Sequence, residues 1–297
     1  ADVKNGQVYL ESYNLFYRNN TSFLGNSFAN PFNVSRVNGL GILYPVATVR
    51  GSLVFGIGFN RIHHYDDLMS FSGYSNYNNG MEFPINTDGQ LLYYGFNKDV
   101  ERYEKIMSNG ARDLLTISFG IALSPNLAGG ISVSKMKGLE NYDFEFLQKD
   151  IADNYQQFPA DFQSYEVFQS LKTKTEAWKL RGGVKYIYSP FQFGFSIALP
   201  YNVNVVENHG TQERLIFDNA DYSDTLEFGY YDYKVQMPAT MDLGIAFVTD
   251  LNLSFSIAYR LQDWSKMQFN LMDFSAQSED YTIMSIENDL IEKEYRL

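Results

Sequence analysis

Histidine is the side chain whose ordinary pKa suits proton transfer near neutral pH, and this chain has three: His63, His64 and His209. Two are adjacent, in the run His63-His64-Tyr65-Asp66-Asp67, where imidazoles and carboxylates could share a metal ion. Adjacent residues of an extended strand point to opposite faces, so this pair is not expected to converge easily. The absence of cysteine removes thiolate nucleophiles, thiolate metal sites and disulfides. No G-x-S-x-G, H-E-x-x-H or P-loop occurs. Gly56-Ile57-Gly58 lies mid-strand with no helix after it, which is not a dinucleotide turn. No catalytic residue, metal site or cofactor is therefore expected, and the chain is read as a non-enzyme.

The remaining chemistry rests on polar residues set into otherwise small or apolar strands: Asn60, Arg181, Lys185, Asp242 and Arg260. If their faces line a cavity, the cations can meet a ligand carboxylate. The plainer role is mutual pairing across strands, for example Arg260 with Asp242. Lys plus Arg count 23 against 35 for Asp plus Glu, a net charge of -12, which argues against a nucleic-acid partner.

The elements that would position these residues announce themselves by period-two alternation. In 115–123, Leu115, Ile117, Phe119, Ile121 and Leu123 share one face, and Thr116, Ser118, Gly120 and Ala122 the other. After the turn signal Ser124-Pro125-Asn126, residues 127–134 alternate again, which reads as a β-hairpin. The same unit recurs at 178–199 around Ser189-Pro190, and at 241–259 around Thr249-Asp250. A weaker copy runs over 40–59 around Arg50-Gly51-Ser52. Between these hairpins the stretches 64–112, 136–176 and 204–240 read as long loops. Short amphipathic helical elements are expected at 99–107 and 141–172. Strands are also expected at 7–17 and 264–272, giving about ten in all.

No run of 18 apolar residues exists, so no transmembrane helix is available. The apolar faces of the hairpins nevertheless carry no charge, whereas Lys179, Arg181, Lys185, Asp242 and Arg260 all fall on the opposite faces. Apolar outside and polar inside is the rule of an outer-membrane barrel, and nine-residue alternating runs cover roughly 20–25 Å of bilayer. Aromatics at 16% suit belts at two membrane interfaces. The fold expected is all-β: one antiparallel transmembrane β-barrel domain over 1–297, with short periplasmic turns and long extracellular loops. Its location would be the cell outer membrane, its surroundings outer-membrane lipid. A soluble sandwich or water-soluble barrel is the competing architecture. The lumen-side small residues Gly120, Ala122, Ala128, Gly130, Gly194, Ala198, Gly244, Ala246, Ser254 and Ser256 leave room for water or a plugging segment.

Three stretches resemble the OmpP1/FadL/TodX family in its Bacteroidetes-like form. They are VFGIGFNRIH from Val54 to His63, TEAWKLRGGVKYIYSPFQFGFSIALP over 175–200, and YDYKVQMPATMDLGIAFVTDLNLSFSIAYRLQDWSKMQF over 231–269. The resemblance covers about a third of the chain. It implies a 14-stranded barrel with an N-terminal plug and passive uptake of hydrophobic or amphipathic small molecules, such as long-chain fatty acids or aromatic hydrocarbons. The family's Asn-Pro-Ala plug motif is missing, Asn30-Pro31-Phe32 being a poor substitute, and no aromatic strand follows 281–297. The plug and the last strands are therefore expected to lie outside these 297 residues. The alternative role is a partner-binding barrel, with a protein partner in a secretion-system or surface complex.

Overall fold

The structure, a computed structural model, describes residues 5–48, 51–87, 89–156, 161–218, 221–249 and 253–295. The chain forms β1 (Gln7–Phe23), β2 (Asn26–Val46), β3 (Leu53–His64), β4 (Asp67–Ser75), β5 (Phe83–Thr87), β6 (Gln90–Tyr94), β7 (Val100–Ala122) and β8 (Leu127–Lys149). It continues as β9 (Phe162–Tyr188), β10 (Phe191–Ala198), β11 (Tyr201–Phe217), β12 (Asp221–Met237), β13 (Thr240–Val248), β14 (Ser254–Gln262) and β15 (Gln268–Phe269), and ends in α1 (Glu279–Glu294).

Every pairing is antiparallel. The large sheet has the order β1-β2-β3-β7-β8-β9-β10-β13-β14. Four neighbours continue one another: β3 into β4, both against β7, β10 into β11, both against β9, β13 from β12, and β14 into β15. Joined in this way, the sheet is an up-and-down meander of nine passes. No pairing among the described residues links β1 to β14, and these two edge strands run in the same direction.

The four short turns foreseen from alternation are the four connections at one end: β2–β3, β7–β8, β9–β10 and β13–β14. Arg50 of the first, and Asp250 and Leu251 of the last, lie outside the described residues. The long loops are a different matter. Region 136–176 is mostly strand, the end of β8 and the start of β9, with only 150–161 between them. Region 204–240 is the β11–β12 hairpin and 64–112 holds β4, the β5–β6 hairpin and the first half of β7. The helices expected at 99–107 and 141–172 are replaced by strand over 100–107, 141–149 and 162–172. Their apolar residues at helical spacing serve two sheet faces instead of one helical stripe: Val100 and Ile106 lie on one, Tyr103 and Met107 on the other. The strand expected at 264–272 is reduced to β15 between two 3-10 turns. Among the described residues no helix is long and apolar enough to cross a membrane.

The 27 residues of β9 extend about 85 Å along the strand at about 3.3 Å per residue, and the long strands end in a separate aromatic core. There Phe83, Phe96, Val100, Phe162, Tyr165 and Phe217 bury one another beneath the β5–β6 hairpin. Gln148, wholly buried, donates to the Phe96 carbonyl and accepts from Arg102 Nε at 3.1 Å. Tyr155 in the 150–161 connection donates to the Lys98 carbonyl at 2.7 Å, and burial pushes its hydroxyl pKa up. Beside this, β2 and β4 are tied by side chains: Asn30 Nδ2 donates to the Ser70 carbonyl at 3.0 Å, and Ser70 Oγ to Asn30 Oδ1 at 2.7 Å.

Candidate functional site

The two faces of the sheet near the short turns differ sharply. One face carries Phe55, Ile57 and Phe59 of β3, Leu115 to Ile121 of β7, Leu180 to Tyr188 of β9, and the aromatic run Phe191, Phe193 and Phe195 of β10. It continues through Leu243, Ile245, Ile257 and Tyr259, and most of these side chains are two-fifths exposed or more. Far from the turns this belt stops at one rung of the ladder. Arg61 of β3 faces Asp113 of β7, Asp113 faces Lys137 of β8, and Lys137 faces Glu176 of β9. The rung continues through Asn204 of β11 to Lys234 of β12. Arg61 clasps Asp113 through Nε and Nη2, at 2.8 and 3.2 Å, and Lys137 reaches Glu176 at 3.6 Å. Trp178 sits one residue pair below this rung, 63% exposed, with Lys135 Nζ 5.4 Å from its ring centroid.

The opposite face carries the charged residues singled out from the sequence. Asp242 of β13 lies between Ser196 of β10 and Arg260 of β14 in register. Its carboxylate takes Arg260 Nε at 2.6 Å, Ser196 Oγ at 3.1 Å and Arg181 Nη1 at 3.2 Å. Arg181 comes from β9, where it faces Ala198 and Ser132. The small residues of β10 let its guanidinium reach across that strand to the acid. Lys185 faces Ala128 and Gly194 and has no ion-pair partner among the described residues. Arg181, Lys185, Ser196 and Asp242 line an open cavity of about 570 Å³ that also includes Gly130, Gly183 and Gly244. Two guanidiniums meet one carboxylate and Lys185 lines the same cavity, an excess of positive charge that attracts anions.

Asn60 is placed elsewhere. It belongs to β3, which β7 and β8 separate from β9, and its Oδ1 accepts from the Tyr9 hydroxyl at 3.1 Å. The Tyr9 ring lies over Gly39, Gly41 and Gly58, where a Cβ at Gly41 would overlap it. The structure thus brings together four of the five candidates and leaves Asn60 in a local aromatic–glycine contact.

Further along the same inner face lies an apolar cluster that alternation did not assign. Met136 of β8, Ala177 of β9 and Val203 and Val205 of β11 are buried, with Leu114, Tyr201, Tyr233 and Val235 against them. The signal was present: Val203 and Val205 alternate with Asn202 and Asn204, within a stretch otherwise read as loop. Cationic cavity and apolar cluster are therefore consecutive along one face.

The histidine pair departs from expectation. A register shift between Arg61 and His63 breaks the alternation, and the two imidazoles stack with centroids 6.1 Å apart. Both line an open pocket with Tyr17, Asp66 and Ser108. Asp66 is held by Arg36 at 2.8 Å. No group of three metal-ligating side chains occurs among the described residues. His209 instead stacks on Tyr231 at 5.5 Å.

Comparisons with family models, with curated proteins and with solved structures find no match to this chain.

Proposed function

We propose that the chain is a transmembrane β-barrel of a Gram-negative-type outer membrane, and that it passively admits hydrophobic or amphipathic small molecules of the long-chain fatty acid or aromatic hydrocarbon kind. The observation that carries the membrane part is the outer belt, uncharged on β9 from Leu180 to Tyr188, which ends at Lys135 and the charged rung Arg61-Asp113-Lys137-Glu176. On β9 the belt runs from Trp178 to Tyr188, which at about 3.3 Å per residue and a tilt near 40° spans roughly 25 Å, the height of a barrel's lipid-facing band. In water so large a continuous apolar face would be a strong association liability. Antiparallel closure of this sheet takes a descending strand between β14 and β1, which the expected 14-stranded form supplies.

The transport part is supported by the order of features on the inner face. A carboxylate head can share the Arg181–Asp242–Arg260 group and Lys185, and an alkyl tail can lie along the partly buried Leu114, Tyr201 and Val235 that cover Met136, Val203 and Val205. Each buried CH₂ contributes about 0.8 kcal/mol. The test is uptake. Bacteria lacking their own fatty acid channel, given this protein, are expected to take up labelled oleate several-fold faster than cells without it; equal rates would contradict the proposal. The partner-binding alternative draws on the distal tip, where Tyr77 and Tyr93 stand 73% and 64% exposed. Co-purification of a stoichiometric protein with unchanged uptake would favour it.

A further inference from the structure

At the charged rung and on either side of it, on the outward face of β8 and β9, four of the chain's lysines gather. Lys135 and Lys137 belong to β8, Lys172 and Lys174 to β9. Their outward direction follows from the alternation, since the intervening Ser134, Met136 and Thr175 are buried on the other face. The register stacks them in consecutive pairs: Lys135 with Trp178, Lys137 with Glu176, Leu139 with Lys174, and Asn141 with Lys172. Residues two apart on a strand are separated by about 6.6 Å and neighbouring strands by about 4.8 Å. The four ammonium groups therefore share a patch roughly 20 Å long.

The local charge is lopsided. Glu176 is shared by Lys135 at 3.4 Å and Lys137 at 3.6 Å, and Asp113 is already clasped by Arg61. Lys172 and Lys174 have no acidic partner among the described residues. The flanking outward positions are neutral: Asn109 and Ala111 on β7, and Asn204, Val206 and Asn208 on β11. In direct register Arg61 and the four lysines face only Asp113 and Glu176, and with Asp143, the next outward position on β8, the patch keeps an excess of two positive charges on a chain whose net charge is -12. Trp178 stands level with Lys135 at the lower edge of the patch, and below it lies the uncharged belt.

We propose that this lysine cluster is a docking surface for the phosphate-bearing headgroup of a membrane lipid, whose acyl chains lie on the belt at Trp178, Leu180 and Val133. The inference rests on the membrane reading above. Charge complementarity selects an anionic group, and continuity with the belt selects one that carries an apolar tail over free phosphate, which would bury nothing there. Trp178 is placed at the depth where tryptophan concentrates in membrane proteins.

Trp178 is also the reporter. The chain has two tryptophans, so Trp264→Phe leaves Trp178 as the sole one. The protein is reconstituted into phosphatidylcholine vesicles containing a minor share of either brominated phosphatidylglycerol or brominated phosphatidylcholine, and quenching of Trp178 is compared. Phosphatidylglycerol is expected to quench several-fold more effectively at low salt. That preference should fade at high salt, and in the variant with all four lysines changed to Gln. Equal quenching by the two lipids at low salt overturns the docking surface while leaving the barrel intact. A preference that survives both high salt and the lysine changes also overturns it. Failure of the protein to float with any vesicle sinks the membrane reading, and this inference with it.

Discussion

Asp242 is the residue on which the inner charged group turns. It takes Arg260, Arg181 and Ser196 together, so changing it to Asn leaves two guanidiniums facing one neutral amide. Because both arginines are more than two-fifths exposed, solvent screens the loss, and Asp242→Asn is expected to cost about 1 kcal/mol of stability. The denaturant midpoint of the reconstituted protein measures that. In planar bilayers the same variant should shift ion selectivity toward anions, and an unchanged reversal potential would show that the group lies off the permeation path. Tyr9→Phe, which removes one exposed hydroxyl contact to Asn60, is expected to stay within about 0.5 kcal/mol of the parent. The pairing of Arg260 with Asp242 was legible in the sequence, because both fall on the charged faces of two alternating runs around one short turn. The arrival of Arg181 was not, because it depends on the small residues of an intervening strand.

At the level of elements, the legible part of the fold is the part with two unlike faces. The hairpins around 123–126 and 189–190 alternate because one face meets the apolar belt and the other a polar or small interior. Beyond the rung at Asp113 and Glu176 the outward face no longer meets the apolar belt and part of the other face packs into the aromatic core, so the alternation fades. The run 99–107 there mimics helical spacing, yet it is held as strand by β4 on one side and β8 on the other. A backbone irregularity marks the boundary. Gly110 has φ +132°, and a Cβ there would overlap the Leu139 carbonyl. Its own carbonyl accepts from Tyr65 N at 3.1 Å, where β3 gives way to β4. Gly110→Ala is expected to destabilise by about 2 kcal/mol, from positive-φ backbone strain and backbone contact together. A thermal unfolding midpoint within experimental error of the parent would show that the strand simply shifts to accept the methyl. The stacking of His63 on His64 comes from the nearby register shift, which nothing in the sequence signals.

For the whole molecule, the belt and its charged border are where the membrane proposal and a soluble protein make opposite predictions. Ile117 lies mid-belt, 42% exposed, between Ile57 and Val133. In a bilayer, Ile117→Arg is expected to cost about 2–4 kcal/mol and to lower the folded fraction in vesicles. On a water-exposed face the same change would be neutral or would improve solubility. The most direct test of the central claim is gel mobility of protein extracted from isolated outer membranes, compared with and without boiling. The account predicts that the protein is found in that fraction and that the unboiled form migrates differently from the boiled one, as a heat-resistant membrane barrel does. A protein recovered in the soluble fraction, with the same mobility before and after boiling, would contradict it.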